Sequence, residues 1–384
     1  MKKFQRLIAF LVVATVLLSA FLLPVSAEKV GASLSLDCKS AVLMEAQTGK
    51  ILYAQNESQP LPPASVTKVM TLLLVMEAIE RGQIKYTDMV SASEHACSMG
   101  GSQIYLEVGE QMSVEDLLKS VVIASANDAA VALAEQIAGT EEAFVKRMNE
   151  RARELGMTNT VFENTNGLDD TTDTHVTSAK DIAIMSRELI KYPKITEYSR
   201  IWMDTIRNGE FGLTNTNRLI RFYEGATGLK TGSTAKAGFC ITATAKRGDM
   251  TLIAVIMGAD TRDARNAAAV SLLNYGFSNY SIYKHQYKDL ADIKVLKGIE
   301  DLCSLVAEEF VTVIPKKKST NVKTSVSVQP NITAPFSIES EVGEVIYTLD
   351  GEELGRAKIL TEHGVEKINF WRIFVRIFSK MLLK

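Results

Sequence analysis

The chain has 384 residues, 46% of them hydrophobic, and a formal charge of −2. That length allows one large domain or two with a full apolar core, and the near-neutral balance gives no electrostatic footprint for a nucleic-acid partner. Cys38, Cys97, Cys240 and Cys303, like His95, His175, His285 and His363, are scattered without metal-ligand spacing, so no metal or other cofactor is expected.

The N-terminus reads as an export signal cut after Ala27, with an uncleaved membrane anchor as the alternative. Lys2, Lys3 and Arg6 precede an apolar run from Leu7 to Leu23, and Val25-Ser26-Ala27 offers a small-residue cleavage site. Removing residues 1–27 takes away three cations and no acids, which moves the formal charge from −2 to −5.

Ser40–Glu45 and Lys50–Gln55, joined through Gln47-Thr48-Gly49, read as two strands and a glycine turn. Pro62-Pro63-Ala64-Ser65-Val66-Thr67-Lys68 then opens an amphipathic helix, Val69 to Glu80. Residues 82–113 show no clear period. Val114 to Ile123, Ala129 to Ile137 and Glu142 to Leu155 have helical spacing, and Ser125-Ala126-Asn127-Asp128 interrupts the first two where polar groups can face a cleft. Thr177-Ser178 caps a helix to about Leu189 with Asp181 in its first turn. Gly225 to Gly232 reads as repeated turns. Gly238–Ala245 and Thr251–Met257 follow as a hairpin, and Asp263 to Asn279 as a helix. Strands at both ends of this region are expected to pair around a helical middle.

From residue 286 to 364, short β-prone stretches separated by turns point to a small β-rich domain, within which Lys316-Lys317-Lys318 reads as a solvated loop. Residues 365–384 carry no acid after Glu366. On a helical wheel Arg372, Arg376 and Lys380 share an arc of about 100°, and aromatic and aliphatic residues fill the remainder. The expectation is an amphipathic helix lying on a membrane surface; a helix docked on the protein's own core is the alternative.

Ser65 and Lys68 are the first chemically suggestive pair. Three residues are about 300° of helical turn, so both side chains lie on one face. A serine hydroxyl is a weak nucleophile unless a base stands beside it, and a lysine can be that base once burial or a second cation displaces its proton. Ser-x-x-Lys also begins at Ser26, Ser233 and Ser281, but only Ser65 follows turn-forming prolines and leads into an amphipathic helix. Ser125-x-Asn127 and Lys230-Thr231-Gly232 complete an ordered set, each at the edge of an element. That set matches the signature of penicillin-binding proteins and serine β-lactamases.

Within that superfamily the chain resembles the low-molecular-mass penicillin-binding D-alanyl-D-alanine carboxypeptidases. The resemblance is carried by Pro63-Ala64-Ser65-Val66-Thr67-Lys68, Ser125-Ala126-Asn127-Asp128-Ala129, Asn166-Gly167-Leu168-Asp169 and Gly228-Leu229-Lys230-Thr231-Gly232. It implies an α/β (α+β) penicillin-binding transpeptidase-like catalytic domain over residues 28–285, with an antiparallel sheet and a helical subdomain. A small all-β domain and the C-terminal amphipathic helix follow. It implies a peptidoglycan stem peptide as substrate, β-lactams as covalent inhibitors, and a place on the outer face of the cytoplasmic membrane. In this reading Ser65 attacks the terminal D-Ala-D-Ala carbonyl, Lys68 takes its proton, and Ser125 relays it to the departing amine. Asn127 holds the substrate amide, Lys230 and Thr231 bind the free carboxylate, and the backbone N–H groups of Ser65 and Ser233, the latter following Gly232, face the oxyanion. Arg265 enters from the resemblance as a second carboxylate contact, with a surface salt bridge as the alternative. Ser233 and Asn166 stand where some relatives carry histidine. A β-lactamase would need a deacylating Glu-x-x-x-Asn, and none occurs between Ser125 and Lys230. A D,D-endopeptidase acting on cross-links and a non-catalytic wall-binding module remain as alternatives.

Overall fold

The computed structural model describes residues 34–168 and 173–382. The expected export signal at residues 1–27, Asp169 of the Asn166-to-Asp169 motif and the last residues, 383–384, lie outside the described residues.

Strands from opposite ends of the catalytic region form one antiparallel sheet. β1 (Ser40–Glu45) and β2 (Ile51–Gln55) turn about the buried Glu45 carboxylate, which accepts hydrogen bonds from the amides of Gln47 and Thr48 and from the Thr48 hydroxyl. β3 (Ala226–Thr234), β4 (Gly238–Arg247) and β5 (Met250–Ala259) complete the order β2-β1-β5-β4-β3. Val42 of β1 faces Val255 of β5, so the expected pairing of terminal strands around a helical middle is present.

Among the helices that cover this sheet or pack beside it are α1 (Lys68–Glu80), α2 (Val114–Lys119), α3 (Asn127–Ala138), α4 (Glu141–Glu154), α5 (Ala179–Leu189) and α6 (Arg262–Asn279). Successive strand side chains point to opposite faces. On one face α6 lies so close that a Cβ at Gly276 would sit 2.5 Å from Leu252 and 2.9 Å from Leu43. On the other, Val42, Met44, Ile253 and Val255 join a core with α1, α3 and α5. Ser113, Thr140 and Ser178 cap α2, α4 and α5 through side-chain oxygens, satisfying amides that the first turn leaves without partners. α1 is buried on nearly all sides from Lys68 to Ala78, so it is the central helix around which the others pack.

Three local expectations change. The chain at Ser65 is a 3₁₀ turn, Ala64–Thr67, and the α-helix starts only at Lys68. Residues three apart eclipse in a 3₁₀ turn, which brings Ser65 and Lys68 together more directly than α-helical spacing would. Gly225 to Gly232 is not a series of turns, because from Ala226 it runs as the edge strand β3. Gly232 is there for close approach: a Cβ would lie 2.8 Å from Ser65 N and 2.9 Å from Pro63 O. The unpatterned stretch from 82 to 113 holds a short ribbon, Met89–Ser91 with Gln111–Ser113, and the single helical turn Glu94–Cys97.

A second core belongs to the C-terminal β-rich region. β6 (Tyr280–His285), ahead of the expected boundary at residue 286, pairs antiparallel with β7 (Phe310–Pro315). β8 (Val322–Val328), β9 (Glu341–Leu349) and β10 (Glu352–Thr361) form a sheet with Leu305–Ala307. Phe310 stacks on Tyr347 with ring centroids 4.0 Å apart, among buried Ile293, Val342, Val345 and Ile359. Lys316, Lys317 and Lys318 are exposed. All four cysteines are free thiols.

The chain ends in helix α7 (Phe370–Leu382). Phe370, Trp371, Phe374 and Phe378 are each at least half exposed, with Trp371, Phe374 and Phe378 stacked along the helix, so these rings are not docked on the protein's own core. Among the described residues no helix is long and apolar enough to cross a membrane.

Candidate active site

The three sequence elements meet at a cleft of about 630 Å³ between the sheet edge and the helical region. Ser65, Ser125, Thr231, Gly232, Ser233 and Arg265 line it. Lys68, Asn127 and Lys230 lie buried beneath.

Each group is placed by a different element. Lys68 is the first residue of α1, and its Nζ lies 2.9 Å from Ser65 Oγ and 2.8 Å from the carbonyl oxygen of Asn166. Ser125 follows a π-helical turn, Ser120–Ala124, and adopts a left-handed backbone at φ 64°, a conformation that costs an ordinary residue about 1–3 kcal/mol and re-aims its side chain into the cleft. Lys230, on β3, donates to Ser125 Oγ at 2.8 Å and to the Thr231 carbonyl at 3.0 Å. The Thr231 hydroxyl donates to Thr216 Oγ1 at 2.8 Å. Two serines are thus each paired with a buried lysine.

Asn127 opens α3. Its amide nitrogen donates to Gly100 O at 2.7 Å, while its Oδ1 is buried with no hydrogen-bond partner. An unpaired buried acceptor costs about 1–3 kcal/mol, so this oxygen is a standing site for an incoming N–H donor. Asp128, next in the chain, accepts from the amides of Ile104 and Leu106 and fixes the segment that runs past Ser102.

The electrostatics follow from burial. Lys68 is held well below the ordinary lysine value, first by desolvation, then by the charge of Lys230, with Asp128 opposing. Lys230 is lowered to about 7 by burial and by Arg265. Arg265, itself buried, is lowered to about 10 by desolvation and by the neighbouring Arg262, and its guanidinium donates to the Asn266 side chain and the Cys240 carbonyl. These cations share one poorly solvated region, so each disfavours the charge on the next.

Several contributors are not evident from sequence. The backbone carbonyl of Asn166 contacts Lys68, and its own loop is held by Glu141, which accepts from both N–H and Oγ1 of Thr165. Ala64, immediately before Ser65, sits at φ 49°. Its carbonyl accepts from Thr67 Oγ1 at 2.9 Å and abuts Gly167, where a Cβ would come within 1.9 Å of that oxygen. The amide of Glu163 donates to His175 Nδ1 at 3.0 Å, which leaves the ring proton on Nε2, 2.8 Å from Thr67 Oγ1. This directed chain steadies the strained turn beneath Ser65. Asp181 has a structural place, accepting from Asn159 N and Thr160 Oγ1 at 2.8 Å each. Asn215 and Asn217, bracketing Thr216, clamp the carbonyls of Ser199, Ile201 and Gly228. The Asn-x-Asn spacing was the available signal for that clamp.

Residues 26–261 match the family model described as D-alanyl-D-alanine carboxypeptidase, and residues 277–367 match penicillin-binding protein 5, C-terminal domain. D-alanyl-D-alanine carboxypeptidase DacF of Bacillus subtilis is 46% identical over 342 residues, covering 87% of each chain. D-alanyl-D-alanine carboxypeptidase DacC of Escherichia coli is 33% identical over 94% of this chain and 91% of its own length. Among solved structures, penicillin-binding protein 5 from Haemophilus influenzae superposes with a TM-score of 0.79 at 32% identity, covering 88% of this chain and all of that one. Penicillin-binding protein D2 from Listeria monocytogenes, solved in its ampicillin-bound form, matches with a TM-score of 0.59 at 32% identity over 64% of this chain and all of that one. With its fold, its paired serines and lysines and these relatives in agreement, the chain belongs to the penicillin-binding D-alanyl-D-alanine carboxypeptidase family.

Proposed function

We propose that Ser65 is the nucleophile of a serine carboxypeptidase that removes the terminal D-alanine from peptidoglycan stem peptides. The observation that carries this reading is Lys68 Nζ, fully buried and 2.9 Å from Ser65 Oγ. A neutral amine offers a lone pair, so at that distance the Ser65 hydroxyl donates to the nitrogen and loses its proton as it attacks. The carbonyl oxygen then carries the developing charge between the backbone N–H groups of Ser65 and Ser233, which the close approach of Gly232 to Ser65 supports.

Ser125, hydrogen-bonded to Lys230, stands where its hydroxyl passes a proton to the leaving amine. Asn127 Oδ1, otherwise unpaired, accepts from the substrate amide. Lys230, Thr231 and Arg265 take the free carboxylate of the leaving residue, and that anion favours the charged form of Lys230 as it arrives. Water completes the cycle by hydrolysing the acyl-enzyme. A β-lactam presents a similar strained amide and carboxylate, and acylates the same serine.

The domain limits we infer are a signal at 1–27, a catalytic domain from 28, a β-rich domain ending at 364, and an anchoring helix within 365–384. Export places the enzyme at the outer face of the membrane. The exposed rings of α7, together with Arg372 on the same helix, support its lying in the interface with the cation at the headgroups.

Three outcomes are expected. The mature chain releases D-alanine from a muropeptide ending in D-Ala-D-Ala and binds penicillin covalently, and Ser65→Ala does neither; release by the variant at the parent rate would remove Ser65 from the role. Lys230→Gln removes a cation that depresses Lys68, so the acid limb of the penicillin-acylation pH profile moves upward, because Lys68 then stays protonated to higher pH. An unmoved limb would mean that Lys230 does not act on Lys68. Vesicles containing phosphatidylglycerol retain the chain ending at 384 and release one ending at 369; equal retention would discard the anchor.

A further inference from the structure

The cleft continues beyond the groups assigned above. Past Arg265 its wall carries three more guanidinium groups, Arg218, Arg221 and Arg262, with the rings of Trp202 and Phe222. All three arginines are exposed, and none has an ion-pair partner among the described residues. No acidic side chain lines the cleft among the described residues. Arg221 is also pre-oriented, its guanidinium 5.7 Å from the ring centroids of both Trp202 and Phe222. Phe222 is 74% exposed, an aromatic surface left open beside the cations.

Their position relative to the scissile bond is fixed by Arg265. Arg262 lies three residues before it on α6, on the same helical face, and Arg262 and Arg218 are both near enough to lower the Arg265 pKa. Arg265 is assigned to the carboxylate of the leaving residue, so the additional cations stand on the leaving-group side. An alanine leaving residue has one carboxylate, already held by Lys230, Thr231 and Arg265. The other three guanidiniums have no counterpart in it, and a further anion would relieve their mutual repulsion.

We propose that Arg218, Arg221 and Arg262 form a second anion site for the leaving group, so that the cleft favours C-terminal residues bearing a second carboxylate over neutral residues of the same size. Beside D-alanine, an acidic D-amino acid or the acidic arm of a peptide cross-link is then a favoured leaving group. The reaction is the same hydrolysis: the amide C–N bond breaks as Ser65 is acylated, the amine departs with a proton, and water takes up the acyl group. This inference rests on the acyl-transfer reading of the cleft.

The test compares acyl-D-Ala-D-Glu with acyl-D-Ala-D-Gln, which differ in charge and scarcely in shape. The parent enzyme is expected to cleave the glutamate peptide with kcat/KM about tenfold higher, mainly through KM, and the ratio should shrink as salt rises. Arg218→Gln, Arg221→Gln and Arg262→Gln should each lower the ratio, and the triple variant should bring it to about one while penicillin still acylates it. Cross-linked dimers with the acceptor carboxylate free or amidated repeat the comparison with a longer leaving group; a preference confined to the dimers assigns the site to the cross-link arm. Equal rates in the parent for both pairs, a preference that survives the triple substitution, or cleavage of D-Ala-D-Ala alone would overturn the proposal. Failure of the parent to release D-alanine or to bind penicillin would instead overturn the acyl-transfer reading.

Discussion

The structure depends on keeping two lysine amines out of water at one point. Lys68 comes from the central helix, Lys230 from the edge strand of the sheet, Ser125 from the break before α3, Asn127 from the first turn of α3, and the Asn166 carbonyl from a loop. No single element could exclude solvent from that point, so the reactive arrangement exists only when sheet, helices and loop have docked. The arrangement opposes stability. Lys230 has a folded pKa near 7 against an ordinary 10.5, so between those values the unfolded chain binds more protons than the folded one. The folded state therefore gains stability as pH rises through that window, and the burden is fully present below about pH 7. Lys68 acts in the same direction. A surface free of this chemistry would be more stable and inert.

The backbone around the serines is strained in the same sense. Ala64 and Ser125 both occupy the left-handed region without being glycine, and a π turn precedes Ser125. Such conformations persist only where their surroundings over-determine them. Here the surroundings are specific: Gly167 against the Ala64 carbonyl, Gly232 against the Ser65 amide, and the Glu163–His175–Thr67 hydrogen-bond chain under the turn. The glycines serve contact at these two points. That is why a glycine-rich segment can be a strand.

Much of this was legible in the sequence, and the exceptions have physical causes. Ser65, Lys68, Ser125, Asn127 and Lys230, which the fold brings to one cleft, are recognisable because the proposed chemistry needs particular side chains at fixed spacing, and the terminal strands and main helices because burial imposes a period. β3 is hidden because Gly228 and Gly232 look like turns to any local rule, as Gly225 is, whereas their reason lies in the residues that dock against them. The Asn166 carbonyl left no mark, since any residue can supply a backbone oxygen. His175 was visible only as a scattered histidine until folding placed it beside Thr67. Arg218, Arg221 and Arg262 come from two segments that only the folded cleft unites, and no spacing links them. The C-terminal helix is readable from its wheel because its asymmetry is internal to the segment.

The central claim is that Lys68 is neutral beside Ser65 under working conditions. NMR titration of the mature protein carrying ¹³Cε-labelled lysine, with the Lys68 signal assigned by its loss in Lys68→Arg, tests it most directly. The account predicts that Lys68 titrates well below the ordinary lysine range. A Lys68 that titrates near 10.5 in the folded protein would contradict it, and the base for Ser65 would have to be sought elsewhere.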